Sequence, residues 1–232
     1  MRRVLVTRPE PGASRTAGRL AALGFEPVLL PLTKIVPLPV ETWSGAENIA
    51  ALAITSANAV RHTPPPLLRD LAGLPAFAVG ERTAQVAAEA GVSVKDAGAG
   101  DADRLAERIV ASVQPGSKIL LLCGRIRRGT LESRLAAAGL PVRAIETYDT
   151  VPVSLSGDEL STEIGDRSID AVLVYSAVAA TILSPFVSSF LTAAFIAISD
   201  RVAQNLPAGL GNRIHIAREP TEDAMLSLLP KV

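Results

Sequence analysis

Short apolar runs, many of them β-branched, alternate along this chain with longer alanine-rich stretches whose charges fall at helical spacing. That pattern belongs to βα units around a parallel sheet, whose strands are covered on both faces and so read as continuous apolar runs. It predicts strands near 3–7, 27–31, 51–55, 76–79, 92–95, 118–122, 142–147, 170–174, 194–198 and 213–216, and helices near 11–23, 81–90, 101–113, 128–138, 158–164, 200–206 and 221–229. Asp101 and Thr221 stand where helix N-caps are expected.

The pattern occurs twice. RLAALG at Arg19–Gly24 returns as RLAAAG at Arg134–Gly139, VLVTRP from Val4 as ILLLCG from Ile119, and ALAITSANAV from Ala51 as AVLVYSAVAA from Ala171. AFAVGERTAQVA from Ala76 is echoed by AFIAISDRVAQNL from Ala194. A repeat of half the chain is too long for a solenoid unit and reads as two duplicated α/β halves, expected to form a cleft between them. Two proline-bearing segments, Leu32–Glu41 and Thr147–Leu155, break the alternation at matching places, and Pro37, Pro39 and Pro152 forbid helix there. They predict two crossings between α/β domains with parallel sheets. One domain is then discontinuous (1–35 plus 153–232), the other is inserted (40–146), and linker strands lie at about 32–39 and 147–152.

Composition narrows the function without fixing it. The 232 residues carry 23 basic and 23 acidic side chains, so net charge argues for neither nucleic acid nor a membrane surface. No run approaches the ~20 apolar residues of a membrane span. The opening MRRVLVTRP reads as a first strand, not an export signal. With Cys123 as the single cysteine, the expectation is a cytoplasmic protein, and the lack of a heptad pattern makes it a monomer.

In parallel α/β sheets ligands bind beyond the carboxyl ends of the strands. The residues there are Thr7 and Arg8; Thr55, Ser56 and Asn58; Gly80 and Thr83; Gly124, Arg125 and Arg128; Ser176; and Ser199 and Arg201. Any one such turn is ordinary helix capping, whereas six of them together can receive several carboxylates or phosphates. Other chemistries find no residues. There is no GxxxxGK[ST] phosphate loop, GAGDAD at Gly98–Asp103 lacks the third glycine of a dinucleotide fingerprint, and His62 and His215 are the only histidines. No metal-ligand spacing exists, and Cys123 reads as a small buried residue. Tyr148 lies in the second crossing segment, where it either packs on the partner strand or acts as a phenolic proton donor to a leaving group.

These residues resemble the uroporphyrinogen-III synthases along the whole chain. The likeness is carried by VLVTRP at Val4, TSANAV at Thr55, VGERTA at Val79, LLCGRIRRGTLESRL at Leu121, ETYDT at Glu146, the Ser176 turn and REPTEDAMLSLL at Arg218. It implies two α/β domains joined by a two-stranded linker, and a cyclising lyase that needs no cofactor. Its small-molecule substrate would be hydroxymethylbilane, a linear tetrapyrrole bearing eight carboxylates. The enzyme closes that chain with loss of water and inverts its last pyrrole. The resemblance further implies that Tyr148 is the acid for hydroxyl departure, that Ser56, Thr83 and Ser176 face the substrate, and that Arg8, Arg125 and Arg128 pair with carboxylates. ISDRVA departs from the family pattern: Ser199 stands where relatives carry glycine, and Arg201 lies near their threonine. A tetrapyrrole-binding or sensing module without turnover is the alternative that this altered turn supports.

Overall fold

The computed structural model describes residues 1–40, 48–97 and 100–230; Glu41 of the first extended segment and Gly98–Ala99 of GAGDAD lie outside them. The chain divides into a first unit, Met1–Lys34 with Val151–Val232, and a second, Ile35–Thr150. It begins with β1 (Arg3–Val6), α1 (Gly12–Ala22) and β2 (Glu26–Leu29), then leaves along β3 (Thr33–Pro37). The second unit continues with β4 (Ile49–Ile54), α2 (Ala57–Arg61), α3 (Pro65–Leu71), β5 (Ala76–Ala78), α4 (Glu81–Glu89), β6 (Val94–Asp96), α5 (Ala102–Val110), β7 (Lys118–Gly124) and α6 (Thr130–Ala137). The chain returns along β8 (Val142–Pro152) into α7 (Gly157–Ile164), β9 (Ala171–Val174), α8 (Ala177–Leu183), β10 (Ala194–Ala197), α9 (Asp200–Ala203), β11 (Ile214–Ile216) and α10 (Glu222–Leu226).

The first unit's sheet has the order β11-β10-β9-β1-β2, and the second's β3-β8-β7-β4-β5-β6. Matched through the sequence repeat, β6-β5-β4-β7-β8 repeats β11-β10-β9-β1-β2 strand for strand. Each unit therefore combines the front of one repeat with the back of the other, and a sequence half is not a structural unit. The pairs β1–β2, β1–β9, β9–β10 and β10–β11 are parallel, as are β4–β5, β4–β7, β5–β6 and β7–β8. The carboxyl ends of these strands, and the turns that follow them, thus line one edge of each sheet.

Period-two side-chain geometry sorts the strand residues onto two buried faces. On β1, Val4 and Val6 join one core cluster and Leu5 the other. On β7, Ile119, Leu121 and Cys123 go to one face and Leu120 and Leu122 to the other. Burying each such leucine or isoleucine contributes about 1.5–3 kcal/mol relative to exposure. The duplicated RLAALG and RLAAAG segments share one device for stopping a helix. Gly24 and Gly139 have φ of +84° and +74°. Phe25 N–H donates to Leu20 O at 3.0 Å and Leu140 N–H to Leu135 O at 2.9 Å, turning the chain into the next strand. Glycine is needed at both places because a Cβ disfavours that backbone region.

Three helices escape the hydrophobic pattern: α2, α3 and α8 have five to seven residues, too few to show a helical period. In the other direction, the predicted helix 200–206 shortens to Asp200–Ala203. Among the described residues no helix is long and apolar enough to cross a membrane.

Tyr148 stands on the strand by which the chain returns to the first unit. Val142–Pro152 is one continuous strand that passes from the second unit into the first after Thr150, and Tyr148, two residues before that division, is also paired into the second unit's sheet. The division between units falls after Lys34 in β3 and after Thr150 in β8, which are neighbours in that sheet. Along β7 and β8, Cys123 faces Glu146 but Gly124 faces Tyr148. The register slips by one residue there, a β-bulge of the kind that re-aims a side chain.

Candidate functional site

The bulge residue Thr147 is fully buried, and its hydroxyl donates to Ala59 O on α2 at 2.9 Å. With Thr147 turned inward, Tyr148 lies over Gly124. A Cβ on Gly124 would come within 2.6 Å of the Tyr148 ring, so only glycine lets the phenol occupy this place. The Tyr148 hydroxyl donates to Ser56 Oγ at 3.0 Å, and Ser56 Oγ also accepts the Asn58 N–H at 3.1 Å as the N-cap of α2. Arg125 N–H donates to Tyr148 O at 2.9 Å and fixes the backbone. Four residues singled out in the sequence, Ser56, Asn58, Gly124 and Arg125, therefore converge on Tyr148.

Burial raises the Tyr148 phenol above its ordinary pKa and outweighs the Ser56 hydrogen bond, which works the other way. The phenol keeps its proton at neutral pH. His62, whose ring lies 6.1 Å from that of Tyr148, is pushed below the ordinary histidine value by burial and, secondarily, by Arg61. Cys123 is pushed up to about 11 by burial, so it is a thiol and not a nucleophilic thiolate. Beside the phenol, Glu146 takes Arg127 at 2.7 Å and Arg125 at 3.4 Å, and the Arg127 hydrogen bond holds its carboxyl below the usual range. Arg125 also reaches Asp149 at 3.3 Å.

On the same sheet edge, a pocket of about 230 Å³ is lined by Thr55, Val79, Asp101, Arg127, Arg128 and Thr130, among others. Arg128 is exposed at its rim. The N-cap of α6, Gly129, has φ +67° and offers no side chain to the first helical N–H groups. Gly80 likewise opens α4 without a side-chain cap, and Thr83 is buried within that helix.

In the first unit, Thr7 does not serve as sequence position suggests. It is fully buried and its hydroxyl donates to Leu173 O at 2.7 Å, which ties β1 to β9. Arg8 lies with its guanidinium carbon 4.6 Å from the Tyr175 ring centroid and pairs with Glu222 at 3.2 Å. Ser176 caps α8 by accepting the Ala179 N–H at 3.1 Å. Ser199 caps α9 without a side-chain hydrogen bond, and Arg201 on that helix is exposed.

Tyr175 and Arg127 stand at strand ends in the sequence without a role assigned, and Glu222, Thr16 and Glu146 do not stand out there as site residues. Glu222 reads there only as a first-turn acid of the last helix, and its partners are up to 214 residues away. Among the described residues no group of three or more His, Cys, Asp or Glu side chains is placed to hold a metal ion.

The family model described as uroporphyrinogen-III synthase HemD matches residues 14–227. A uroporphyrinogen-III synthase of Chlorobaculum parvum is 28% identical over 163 residues, which is 67% of this chain and 66% of that protein. The fold is similar to that of the uroporphyrinogen-III synthetase from Helicobacter pylori 26695, with a TM-score of 0.66 at 19% identity over 98% of both chains. It is similar also to a mutant uroporphyrinogen III synthase from the extremely thermophilic bacterium Thermus thermophilus, with a TM-score of 0.57 at 19% identity over 98% of this chain and 96% of that one. The family match runs from α1 to α10 and takes in every strand but the first, and the chain belongs to the uroporphyrinogen-III synthase family.

Proposed function

We propose that this chain is an active uroporphyrinogen-III synthase, closing hydroxymethylbilane to the ring with its last pyrrole inverted, with Tyr148 as the general acid. The observation that carries the mechanism is the phenol of Tyr148: half-buried, protonated, hydrogen-bonded to Ser56 and lying on Gly124.

The steps follow from that geometry. Tyr148 gives its proton to the terminal hydroxyl, the C–O bond breaks, and water leaves a carbocation stabilised by its pyrrole. Ser56 accepts from the resting phenol. Once the proton has gone, the serine hydroxyl turns and donates to the phenolate, which would otherwise be costly to hold in a half-buried place. The cation is attacked at the substituted carbon of the last pyrrole to give a spiro intermediate, which opens and recloses with that ring inverted. The pyrrole proton released on reclosure returns to the phenolate, so the net loss is one water.

The substrate closes by itself to the non-inverted ring, so the protein's task is orientation as much as proton transfer. The turns that carry Arg8, Thr55, Gly80, Thr83, Arg128, Ser176, Ser199 and Arg201 would receive its carboxylates through N–H groups, hydroxyls and cations. Substrate reactivity is also why the reading needs no metal or organic cofactor. Balanced charge and a single buried thiol support a cytoplasmic monomer.

Expression of this chain in a bacterium deleted for its own uroporphyrinogen-III synthase tests the reading. Restored haem-dependent growth is expected. Soluble, folded protein without growth would contradict it and leave binding without turnover.

A further inference from the structure

Outside the surroundings of Tyr148, one side-chain cluster in the first unit is more elaborate than its structural task requires. The Glu222 carboxylate on α10 takes hydrogen bonds from α1 and from the turns that follow β1 and β9. Its Oε1 accepts from Arg8 Nη1 at 3.2 Å, from the Tyr175 hydroxyl at 3.2 Å and, very closely, from the Thr16 hydroxyl. Its Oε2 accepts from Arg19 Nη1 at 2.7 Å, and Arg19 also pairs with Asp223. Burial works to raise the Glu222 pKa, yet the bonds from Thr16 and Arg19 and the charges of Arg8 and Arg19 hold it below the ordinary value. Arg19 alone would dock α10 on α1. Arg8 is nevertheless fixed from three further directions: its guanidinium stacks on Tyr175, pairs with Glu222 and lies against Gly12, where a Cβ would meet Arg8 Nε at 2.5 Å.

An arginine held in this way is pre-oriented. A guanidinium has five N–H donors in a planar fork, and among the described residues only the Nη1 group of Arg8 is engaged, by Glu222. Twenty-seven per cent of its side chain is open to solvent, at the carboxyl end of β1. The fork matches a carboxylate, and holding it in one rotamer beforehand removes part of the entropy lost on binding.

We propose that Glu222, with Tyr175 and Gly12, is a positioning residue for Arg8, and that Arg8 so held receives an acetate or propionate carboxylate of the tetrapyrrole substrate. This rests on the synthase reading above. It adds to that reading a residue on the last helix that acts through Arg8 and never touches substrate. Glu222 acts on binding and not on the proton step, which belongs to Tyr148.

Steady-state kinetics of type III ring formation separate the possibilities, with melting temperature followed for every variant. The wild type is measured first; type I ring alone would remove the synthase reading, and this inference with it, before any variant is made. Arg8→Ala, Glu222→Gln and Gly12→Ala are each expected to raise KM about tenfold with kcat within about twofold. The double variant Arg8→Ala/Glu222→Gln should be no worse than Arg8→Ala alone. Asp223→Asn, which loses only an Arg19 contact, should keep the wild-type KM. Gly12→Ala displaces the far end of Arg8 and leaves Glu222 with Arg19, Thr16 and Tyr175, so it decides the matter should Glu222→Gln fail to fold. A wild-type KM for Arg8→Ala, a wild-type KM for Gly12→Ala, a lowered melting temperature without a KM change in Glu222→Gln, or full additivity in the double variant would each overturn the proposal.

Discussion

The two sheets repeat one strand order, yet the tyrosines at their carboxyl edges have different partners. Register makes the comparison position by position. Val6 faces Leu173 and Leu29 in the first unit, and Leu121 faces Ala53 and Ala144 in the second. Counting on from there, Arg8 corresponds to Cys123, Tyr175 to Thr55 and Ser176 to Ser56. Both serines cap the helix after their strand, through Asn58 and Ala179 N–H groups. The tyrosines differ in place: Tyr175 follows β9 in one unit, whereas in the other Thr55 stands at that position and the tyrosine, Tyr148, lies on β8. Tyr175 donates to a carboxylate and stacks under an arginine, whereas Tyr148 donates to a neutral hydroxyl and faces a buried thiol strand. The same architecture thus holds one phenol on a carboxylate and the other on a neutral hydroxyl. In our account the difference decides which tyrosine is the acid.

Four measurements break or sharpen that contrast, in falling order of effect. Tyr148→Phe should lower kcat for the type III ring by about 10²–10⁴ while KM and melting temperature stay near wild type; an unchanged kcat removes Tyr148 from the acid role. Gly124→Ala forces the phenol away from its seat and should lower kcat by about 10–100-fold, at a stability cost of about 1–3 kcal/mol in chemical denaturation. Ser56→Ala and Ser176→Ala should each lose about 1 kcal/mol of stability as N-caps. The kcat should drop several-fold for Ser56→Ala alone, any effect of Ser176→Ala falling on KM. The smallest signal is spectroscopic. Tyr148 and Tyr175 are the only tyrosines, the first raised above its ordinary value and the second pushed up to about 12, both chiefly by burial. Phenolate absorbance should therefore appear only above the ordinary tyrosine range, and the Tyr148 contribution should be missing from Tyr148→Phe. The sign follows from linkage: a phenol raised in the folded state adds stability below about pH 10 that is lost as pH climbs through the folded value.

Much of the fold was legible because its strands are buried on both faces, so Val4–Val6, Ile119–Leu122 and Ala171–Val174 stand out as apolar runs. The short helices were not, since seven residues beginning at Pro65, or five after Ser56, give no period to read. The repeat was plain, but its distribution over the two units depends on strand order in space. At the site, Ser56, Gly124 and Tyr148 stand out in the sequence only one by one, as turn or strand residues. Their meeting requires a one-residue bulge that propensity does not encode. Thr7 looks like its neighbours in other turns but is tied to Leu173. Glu222 escapes notice because its significance lies in contacts across 206 and 214 residues with Thr16 and Arg8.

The most direct test of the central claim is the ring-isomer ratio. Hydroxymethylbilane is generated in place by its upstream synthase, wild type or Tyr148→Phe is added, and the oxidised products are separated by chromatography. The account predicts type III from the wild type and mainly the spontaneous type I from an equally well-folded Tyr148→Phe. Type III from both at equal rate would contradict the assignment of the acid, and type I from both would contradict the enzymatic reading itself.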